Sequence, residues 1–145
     1  MKIRNDFVTN SSSSSFVIAY KNRLETDEET LNEYPFLKAY SKIIECVLTT
    51  DSEYGNTEHP KILHKISEYN DYFVDRYGCN YDQSINEVIG SDKWLIDKYR
   101  TATKYINGGY SIAVKRVDDW DYETLNLIRS MEDETNFIVL EDEEY

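Results

Sequence analysis

The 145-residue chain has few cysteines, few prolines and no long apolar run. With two prolines and five glycines, it is neither collagen-like nor dominated by loops. Its two cysteines, Cys46 and Cys79, match no metal-ligand spacing and are too few for a disulfide framework, so we expect buried, reduced thiols. No segment approaches the ~18 apolar residues of a membrane-spanning helix. No apolar segment follows Lys2 and Arg4 to complete a secretory signal. These absences predict a cytoplasmic protein.

Basic residues are also scarce, with 16 against 28 acidic residues and a formal charge of −12. Binding to nucleic acid or to anionic lipid depends on clustered Lys and Arg, and the short basic groups in this chain stand beside acids. We therefore expect no nucleic-acid partner and no membrane partner. The partner class that this charge suits is a protein with a basic surface. The 13 tyrosines fit either such an interface or an ordinary core.

The order of the predicted elements indicates one helix-rich domain of the α/β or α+β class, spanning residues 1–145. Continuous apolar runs at Phe16–Tyr20 and Phe137–Leu140 are typical of buried strands, and Tyr110–Val117 adds a third strand. These N-terminal and C-terminal strands predict a small sheet of about three strands. The last strand, helix and strand are expected to form a right-handed parallel crossover. The acidic end, residues 141–145, is predicted to be a solvated tail.

Helices fill the middle of the chain. A stripe of apolar residues at helical spacing begins at Ile62 and ends before Gly78, which is a suitable C-terminal cap. The capping box of Ser84 and Glu87 opens a short helix, and Ser91 is expected to cap the long helix that follows. A further helix leads to the last strand.

The most distinctive stretch is the N-terminal segment 1–20, which carries five consecutive serines between apolar, β-prone runs. Serine hydroxyls compete for backbone hydrogen bonds, so the run favours a turn or extended structure over helix. Its hydroxyl and backbone N–H groups suit an anion or a phosphorylation site, although the glycines and lysine of a P-loop are missing. The candidate binding or modification residues are Arg4, Thr9, Asn10, Ser11, Ser12, Ser13, Ser14 and Ser15.

The stretch FVTNSSSSSF at positions 7–16 resembles an N-terminal signature of small proteins from clostridia, related Gram-positive bacteria and their phages. The resemblance stops near residue 18, and Asn5 and Asp6 stand where the signature often has a glycine. It implies no activity. It implies a shared module, which is a recognition tag, a processing or modification site, or the edge of a pocket.

No catalytic residues, metal ligands or cofactor motif are identified. His59 and His64 adjoin no nucleophile elbow and are predicted to be structural or exposed. Arg4, the serines and the E-x-E of Glu141 and Glu143 loosely resemble the order of motifs in ADP-ribosyltransferases. We expect a non-enzymatic interaction or regulatory factor of phage or mobile-element type. The alternatives are an ADP-ribosyltransferase-like or other anion-binding enzyme that uses the serines, and a substrate processed or modified at the serine run.

Overall fold

The computed structural model describes residues 13–21, 28–33, 42, 44, 46–49, 60–80, 82–118, 121–133 and 135–144. Its elements in chain order are β1 (Ser13–Tyr20), α1 (Glu28–Glu33), β2 (Lys61–Leu63), α2 (Ile66–Tyr77), α3 (Ile85–Ile89), α4 (Lys93–Asn107), β3 (Ser111–Asp118), α5 (Tyr122–Met131) and β4 (Phe137–Glu144). Residues 42, 44 and 46–49 are helical as well. The domain is α+β, within the fold class that the sequence predicts.

The four strands form one antiparallel sheet in the order β2-β3-β1-β4. Because β1 lies between β3 and β4 and is antiparallel to both, β3 and β4 run parallel to each other with one strand between them. The predicted crossover therefore spans β1. Strand β2 was not predicted, since Ile62 fits the apolar stripe of the following helix, but Ile62 pairs instead with Ala113 of β3.

Side chains of β1 alternate between two buried faces of the sheet, as successive residues of a strand do. The Phe16 face, which carries Phe16 and Ile18, packs against Leu48 and against α5. The Val17 face, which carries Val17 and Ala19, packs against α2 and α4. Because both faces are covered, every residue of β1 is buried and the strand reads as a continuous apolar run.

Local signals set most of the helix ends. Ser84 accepts a hydrogen bond from the backbone N–H of Glu87, which confirms the capping box. Helix α2 ends before Gly78, also as predicted. The expected cap at Ser91 is wrong by one residue: Asp92 Oδ1 accepts hydrogen bonds of 2.9 and 3.3 Å from the N–H groups two and three residues later. A carboxylate beside those N–H groups supplies both acceptors and a favourable charge.

The acidic end of the chain is not a solvated tail over residues 141–144. Strand β4 continues to Glu144 and pairs with β1 over its whole length. One extra residue, Leu140, bulges between Val139 and Glu141. The Glu141 side chain is only 10% exposed. Pairing with a central strand and burial against the sheet outweigh the preference of these acids for water.

Two smaller expectations concern the surface. Cys46 and Cys79 are both exposed, so the prediction of buried thiols is wrong. Cys46 lies on the outer side of a helical segment whose Ile44 and Leu48 point into the core. Across the part of the chain that the structure describes, no helix combines the length and apolarity needed to cross a membrane.

Candidate functional site

The last three residues of the serine run lie in β1, where Ser13, Ser14 and Ser15 are 6%, 0% and 8% exposed. The candidates that fall outside the described residues are Arg4, Thr9, Asn10, Ser11 and Ser12. Extended backbone is one of the two conformations that the run predicts. Ser14 and Ser15 pair with strands on both sides, so their N–H groups lie in β-ladders rather than in an anion-binding nest.

Ser14 projects to the Phe16 face, where it lies beneath Arg129 of α5. The Arg129 guanidinium donates hydrogen bonds of 2.9 and 3.1 Å to the Asp142 carboxylate and lies 3.5 Å from Ser14 Oγ. It also lies 5.7 Å from the ring centroid of Phe16. A small side chain at Ser14 leaves room for this bidentate bridge between α5 and β4. Ser14 therefore has a structural role.

Ser15 projects to the Val17 face, where strand pairing gives it a charged neighbour on each side. Arg116 of β3 lies directly opposite Ser15, and Glu143 of β4 lies opposite on the other side. Residues directly opposite in antiparallel strands project to the same face. Arg116, Ser15 and Glu143 thus form a row across the sheet. Lys61 of the edge strand pairs with Val114, so it falls on this face too.

A pocket of about 270 Å³, here called the Ser15 pocket, lies on the β3 side of this row, between the sheet and α2. It is lined by Ser15, Lys61, Val114 and Arg116 of the sheet and by Tyr72, Asp75 and Arg76 of α2. Helix residues three and four apart share one face, which explains the three α2 positions. The lining holds three basic residues and one acid, whereas the whole chain holds 16 and 28. The pocket reverses the sign of the protein's charge.

The acid in the lining offsets only part of this positive charge. Lys61 Nζ lies 3.9 Å from the Asp75 carboxylate, and the two side chains are 55% and 50% exposed, so the pair is weak. Lys61 Nζ also lies 5.9 Å from the ring centroid of Tyr72. The Arg76 guanidinium lies 5.6 Å from the ring centroid of Tyr77, which holds it at the end of α2. Glu143, outside the lining, also interacts electrostatically with Arg76.

On the β4 side of Ser15 lies a second charged group, the Lys98 cluster, formed by Lys98, Glu141 and Glu143. Lys98 Nζ lies 2.7 Å from Glu141 and 3.3 Å from Glu143. The Lys98 and Glu141 side chains are 14% and 10% exposed, so this ion pair is largely but not fully buried. Lys98 Nζ also lies 4.2 Å from the ring centroid of Trp94, which covers the ammonium group.

The two carboxyls of the Lys98 cluster have pKa values shifted in opposite directions. Burial, together with a hydrogen bond to Glu143, raises the pKa of Glu141, although Lys98 opposes this change. The hydrogen bond from Glu141 lowers the pKa of Glu143, and Lys98 lowers it further. Burial alone would lower the pKa of Lys98, but its hydrogen bond to Glu141 raises it. A proton taken up by this pair is therefore held mainly by Glu141.

Part of the constellation that resembles ADP-ribosyltransferases comes together in space. Ser15 and Glu143 are cross-strand neighbours. Glu141, however, is bound by Lys98, and Arg4 lies outside the described residues. Among the described residues, Lys98 forms ion pairs with both acids of the E-x-E, and the basic pocket lies on the other side of Ser15.

His64 lies away from the described serines of the run. His64 is exposed, as predicted, and its Nδ1 lies 2.8 Å from Ser111 Oγ. Ser111 pairs with Tyr20, at the opposite end of β1 from Ser15. His59 lies outside the described residues. Within the described ranges, no three His, Cys, Asp or Glu residues are grouped to hold a metal ion.

Sequence reasoning missed Lys61, Arg76 and Arg116 as site residues. Each belongs to a different element, and Arg76 directly follows an acid, so local charge is nearly balanced along the chain. The sequence held only a partial signal. Lys115 and Arg116 are adjacent in a strand and project to opposite faces, but the register of β3 on β1 decides that Arg116 shares a face with Ser15.

Comparisons of the chain with protein-family models, with curated proteins and with solved structures found no match.

Proposed function

We propose that the protein binds a small anionic molecule in the Ser15 pocket. The observation that carries this proposal is the convergence of Lys61, Arg76 and Arg116, from β2, α2 and β3, on one pocket of a chain with charge −12. In so acidic a chain, basic residues are expected to be surrounded by acids. A cleft that has low-dielectric walls and is lined mainly by charges of one sign concentrates its electric field on an occupant of the opposite charge.

The groups around the pocket also confine such an occupant. Guanidinium groups bind carboxylate and phosphate oxygens through paired hydrogen bonds, and Arg116 and Arg76 offer two of them. The Ser15 hydroxyl supplies a further donor at the sheet surface. Glu143, on the other side of Ser15, repels an anion. The ligand therefore lies over β3 and β2 rather than over β4.

Ligand binding would also change the stability of one edge of the sheet, which supports a regulatory role. Strand β2 has only three residues and, among the described strands, pairs only with β3. A ligand held by Lys61, Arg76 and Arg116 would connect β2, α2 and β3. A molecule that binds only the folded state stabilises it by mass action. Here the added stability should be greatest in the edge strand β2 and in α2.

Isothermal titration calorimetry with inorganic phosphate, sulfate and acetate tests the proposal at low ionic strength. We expect saturable binding by the wild-type protein. Arg116→Gln and Arg76→Gln should each weaken it about tenfold or more, because a hydrogen bond to a charged group contributes ~1.5–3 kcal/mol. Arg100→Gln removes the same charge from an exposed site on α4 and is the matched control.

Two results would contradict the proposal. One is the absence of binding for all three anions. The other is equal weakening by Arg100→Gln, which would show that net charge, rather than the pocket, controls affinity. Because Arg116 is half-buried, its variant is first checked for a wild-type unfolding midpoint. Arg76 is exposed and provides the test if that check fails.

Binding to a protein with a basic surface is the second candidate, and Trp94 favours it. Trp94 is 54% exposed, but its ring is fixed by two contacts. It packs edge-on against Tyr77, with 5.8 Å between the ring centroids, and Lys98 Nζ lies over its face. Rigid, exposed Trp residues are common at the centres of interfaces. A lysine-rich peptide should bind the wild-type protein and Tyr122→Leu but not Trp94→Leu. Equal binding by all three proteins would assign the effect to net charge.

A further inference from the structure

We infer that the Glu141–Glu143 pair makes anion binding in the Ser15 pocket depend on pH, because a proton on the pair and an anion in the pocket favour each other. This inference rests on the proposed anion binding. Both carboxyls belong to the Lys98 cluster on the β4 side of Ser15, and the pocket lies on the β3 side. Adjacent strands lie ~4.8 Å apart, so an anion beside Ser15 is held within about 10 Å of the pair.

Arg76 connects the pocket with the pair. Its guanidinium lines the Ser15 pocket, while its Nε lies 3.4 Å from the hydroxyl oxygen of Tyr77. The hydrogen bond with Glu141 lowers the pKa of Glu143, and the charges of Lys98 and Arg76 lower it further. An anion that binds Arg76 therefore competes with Glu143 for the same cation. The ionised pair is then less stabilised, and its affinity for a proton rises.

The pair is arranged to share one proton. The two carboxyls are joined by a hydrogen bond, and Lys98 Nζ lies 2.7 Å from Glu141 and 3.3 Å from Glu143. Burial raises the pKa of Glu141 and brings its titration closer to neutral pH. Uptake of one proton reduces the charge of the pair from two negative charges to one. An anion in the neighbouring pocket then meets less repulsion.

Other charged or titratable groups face the pair from three elements of the described structure. They are Lys98 on α4, Tyr69, Arg76 and Tyr77 on α2, and Arg116 on β3, beyond Ser15. Burial raises the pKa values of Tyr69 and Tyr77, so both stay neutral. Burial lowers the pKa of Lys98, but the hydrogen bond to Glu141 raises it with a net increase, so the ammonium stays charged. The guanidinium groups do not titrate. None of these five groups changes charge between about pH 5 and neutral pH.

The coupling between proton and anion is reciprocal. If an anion raises the proton affinity of the pair by some factor, a proton on the pair raises the anion affinity by the same factor. At high pH the pair is ionised in both states, so the anion affinity does not vary. It rises as the pH falls through the pKa of the pair in the complex, and it levels off once the free protein is protonated as well. For a doubly charged anion within about 10 Å, screened by salt, the expected gain is about two- to fivefold.

Calorimetric titrations with sulfate at about pH 7.5 and about pH 5, at constant ionic strength, test the inference, because sulfate keeps the same charge over this range. We expect the wild-type affinity to rise about two- to fivefold. Glu141→Gln should bind sulfate more tightly than the wild type by about the same factor at about pH 7.5, with little further gain at about pH 5. Glu123→Gln removes the same charge from an exposed site on α5, which packs on the other face of the sheet, and should behave as the wild type.

Proton uptake gives a second readout. Titrations in two buffers of different ionisation enthalpy should show that sulfate binding at about pH 5.5 takes up a fraction of a proton in the wild type and in Glu123→Gln, but less in Glu141→Gln. Titration of His64 or Asp75 is common to all three proteins, so the comparison cancels it. If Glu141→Gln does not fold, Glu143→Gln repeats the test at a side chain that is 37% exposed.

The outcomes separate this inference from the proposal on which it rests. If the wild type and Glu141→Gln gain equally as the pH falls, or take up equal fractions of a proton, the pair is not coupled to the pocket. The inference is then overturned and anion binding stands. If sulfate binds at neither pH, both fail. If Glu123→Gln tightens binding as much as Glu141→Gln, net charge controls the affinity and both fail as well.

Discussion

Replacing Lys98 by methionine should destabilise the protein more than replacing its buried partner Glu141 by glutamine. Lys98 is the cation between Glu141 and Glu143, at 2.7 and 3.3 Å. Its removal leaves two neighbouring carboxyls, of which Glu141 is 10% exposed. Breaking a buried ion pair in this way costs about 3–5 kcal/mol. Because Glu143 is 37% exposed and partly solvated, we expect about 3 kcal/mol for Lys98→Met at neutral pH.

Glu141→Gln should cost only about 1 kcal/mol, because Lys98 keeps an uncharged acceptor there and retains Glu143. The double variant Lys98→Met/Glu141→Gln should be about 1–2 kcal/mol more stable than Lys98→Met, since no buried charge is left uncompensated. The two single variants and the double variant form a double-mutant cycle. Both methionine variants lose the Lys98–Trp94 contact, so the cost of that loss cancels in the cycle.

The pH dependence gives an independent check. In the folded protein the pKa of Glu141 is raised by burial and by its hydrogen bond to Glu143. An acid with a raised folded-state pKa penalises folding while it is ionised, and the penalty disappears as the pH falls and the proton is taken up. Lys98 opposes this rise, so Lys98→Met raises the pKa of Glu141 further, and its destabilising effect should shrink between neutral pH and about pH 5. When Glu141 is already replaced by Gln, this carboxyl is absent, and the cost of Lys98→Met should not shrink in this way.

Urea unfolding followed by circular dichroism measures all four free energies of unfolding. The reasoning is refuted if Glu141→Gln destabilises the protein as much as Lys98→Met. It is also refuted if the cost of Lys98→Met is the same at both pH values.

Three further local interactions are tested by substitution in the same unfolding experiment. Asp133 accepts hydrogen bonds from three successive backbone N–H groups, which outweigh burial and lower its pKa, so Asp133→Asn should cost about 1 kcal/mol at neutral pH. This difference should vanish as the pH falls through the depressed pKa. Gly78→Ala places a Cβ 2.5 Å from a backbone oxygen and should cost about 1–3 kcal/mol, whereas Gly108→Ala meets nothing closer than 3.4 Å and should cost less than about 0.5 kcal/mol. Arg129→Lys keeps the charge but loses one of two bonds to Asp142, for about 0.5–1 kcal/mol.

Each of these has a result that would contradict it. A pH-independent effect of Asp133→Asn would show that the N–H groups do not hold a carboxylate. Equal effects of Gly78→Ala and Gly108→Ala would remove the steric argument. A wild-type midpoint for Arg129→Lys would show that the second hydrogen bond contributes nothing.

The helices could be predicted from the sequence because their signals are local. The capping box of Ser84 and Glu87 and the stop at Gly78 lie within one turn of the ends that they set. Strand β2 could not be predicted in this way. Its three residues are too few for a period of two, and Ile62 and Leu63 form a strand only because Ala113 and Ile112 of β3 lie opposite them.

The same physical limit applies to the acidic end of β4. Acidic residues after an apolar strand are normally solvated, and Glu141 is buried here only because Lys98, more than 40 residues earlier, reaches it from α4. The sequence shows both residues, but it does not show that their side chains meet in the folded protein. Register with β1, which places Glu143 opposite Ser15, is likewise a property of the assembled sheet.

The candidate site was partly predictable. The serine run predicted a site because hydroxyl side chains are unusual beside a buried strand, and Ser15 lines the pocket. The run divides between two faces, since Ser14 supports Arg129 while Ser15 borders the pocket. The basic groups that give the pocket its character come from three distant segments. No spacing in the sequence connects them.

The central claim is that Arg116 and Arg76 bind an anion beside Ser15, and the guanidinium Nε–H resonances of the protein test it most directly. In a titration with inorganic phosphate at constant ionic strength, the Nε–H signals of Arg116 and Arg76 should shift along one shared binding curve. The signal of Arg129, which is bound to Asp142, should stay in place. Shifts of all three signals that a chloride titration reproduces, or no shift of Arg116 and Arg76, would contradict the account.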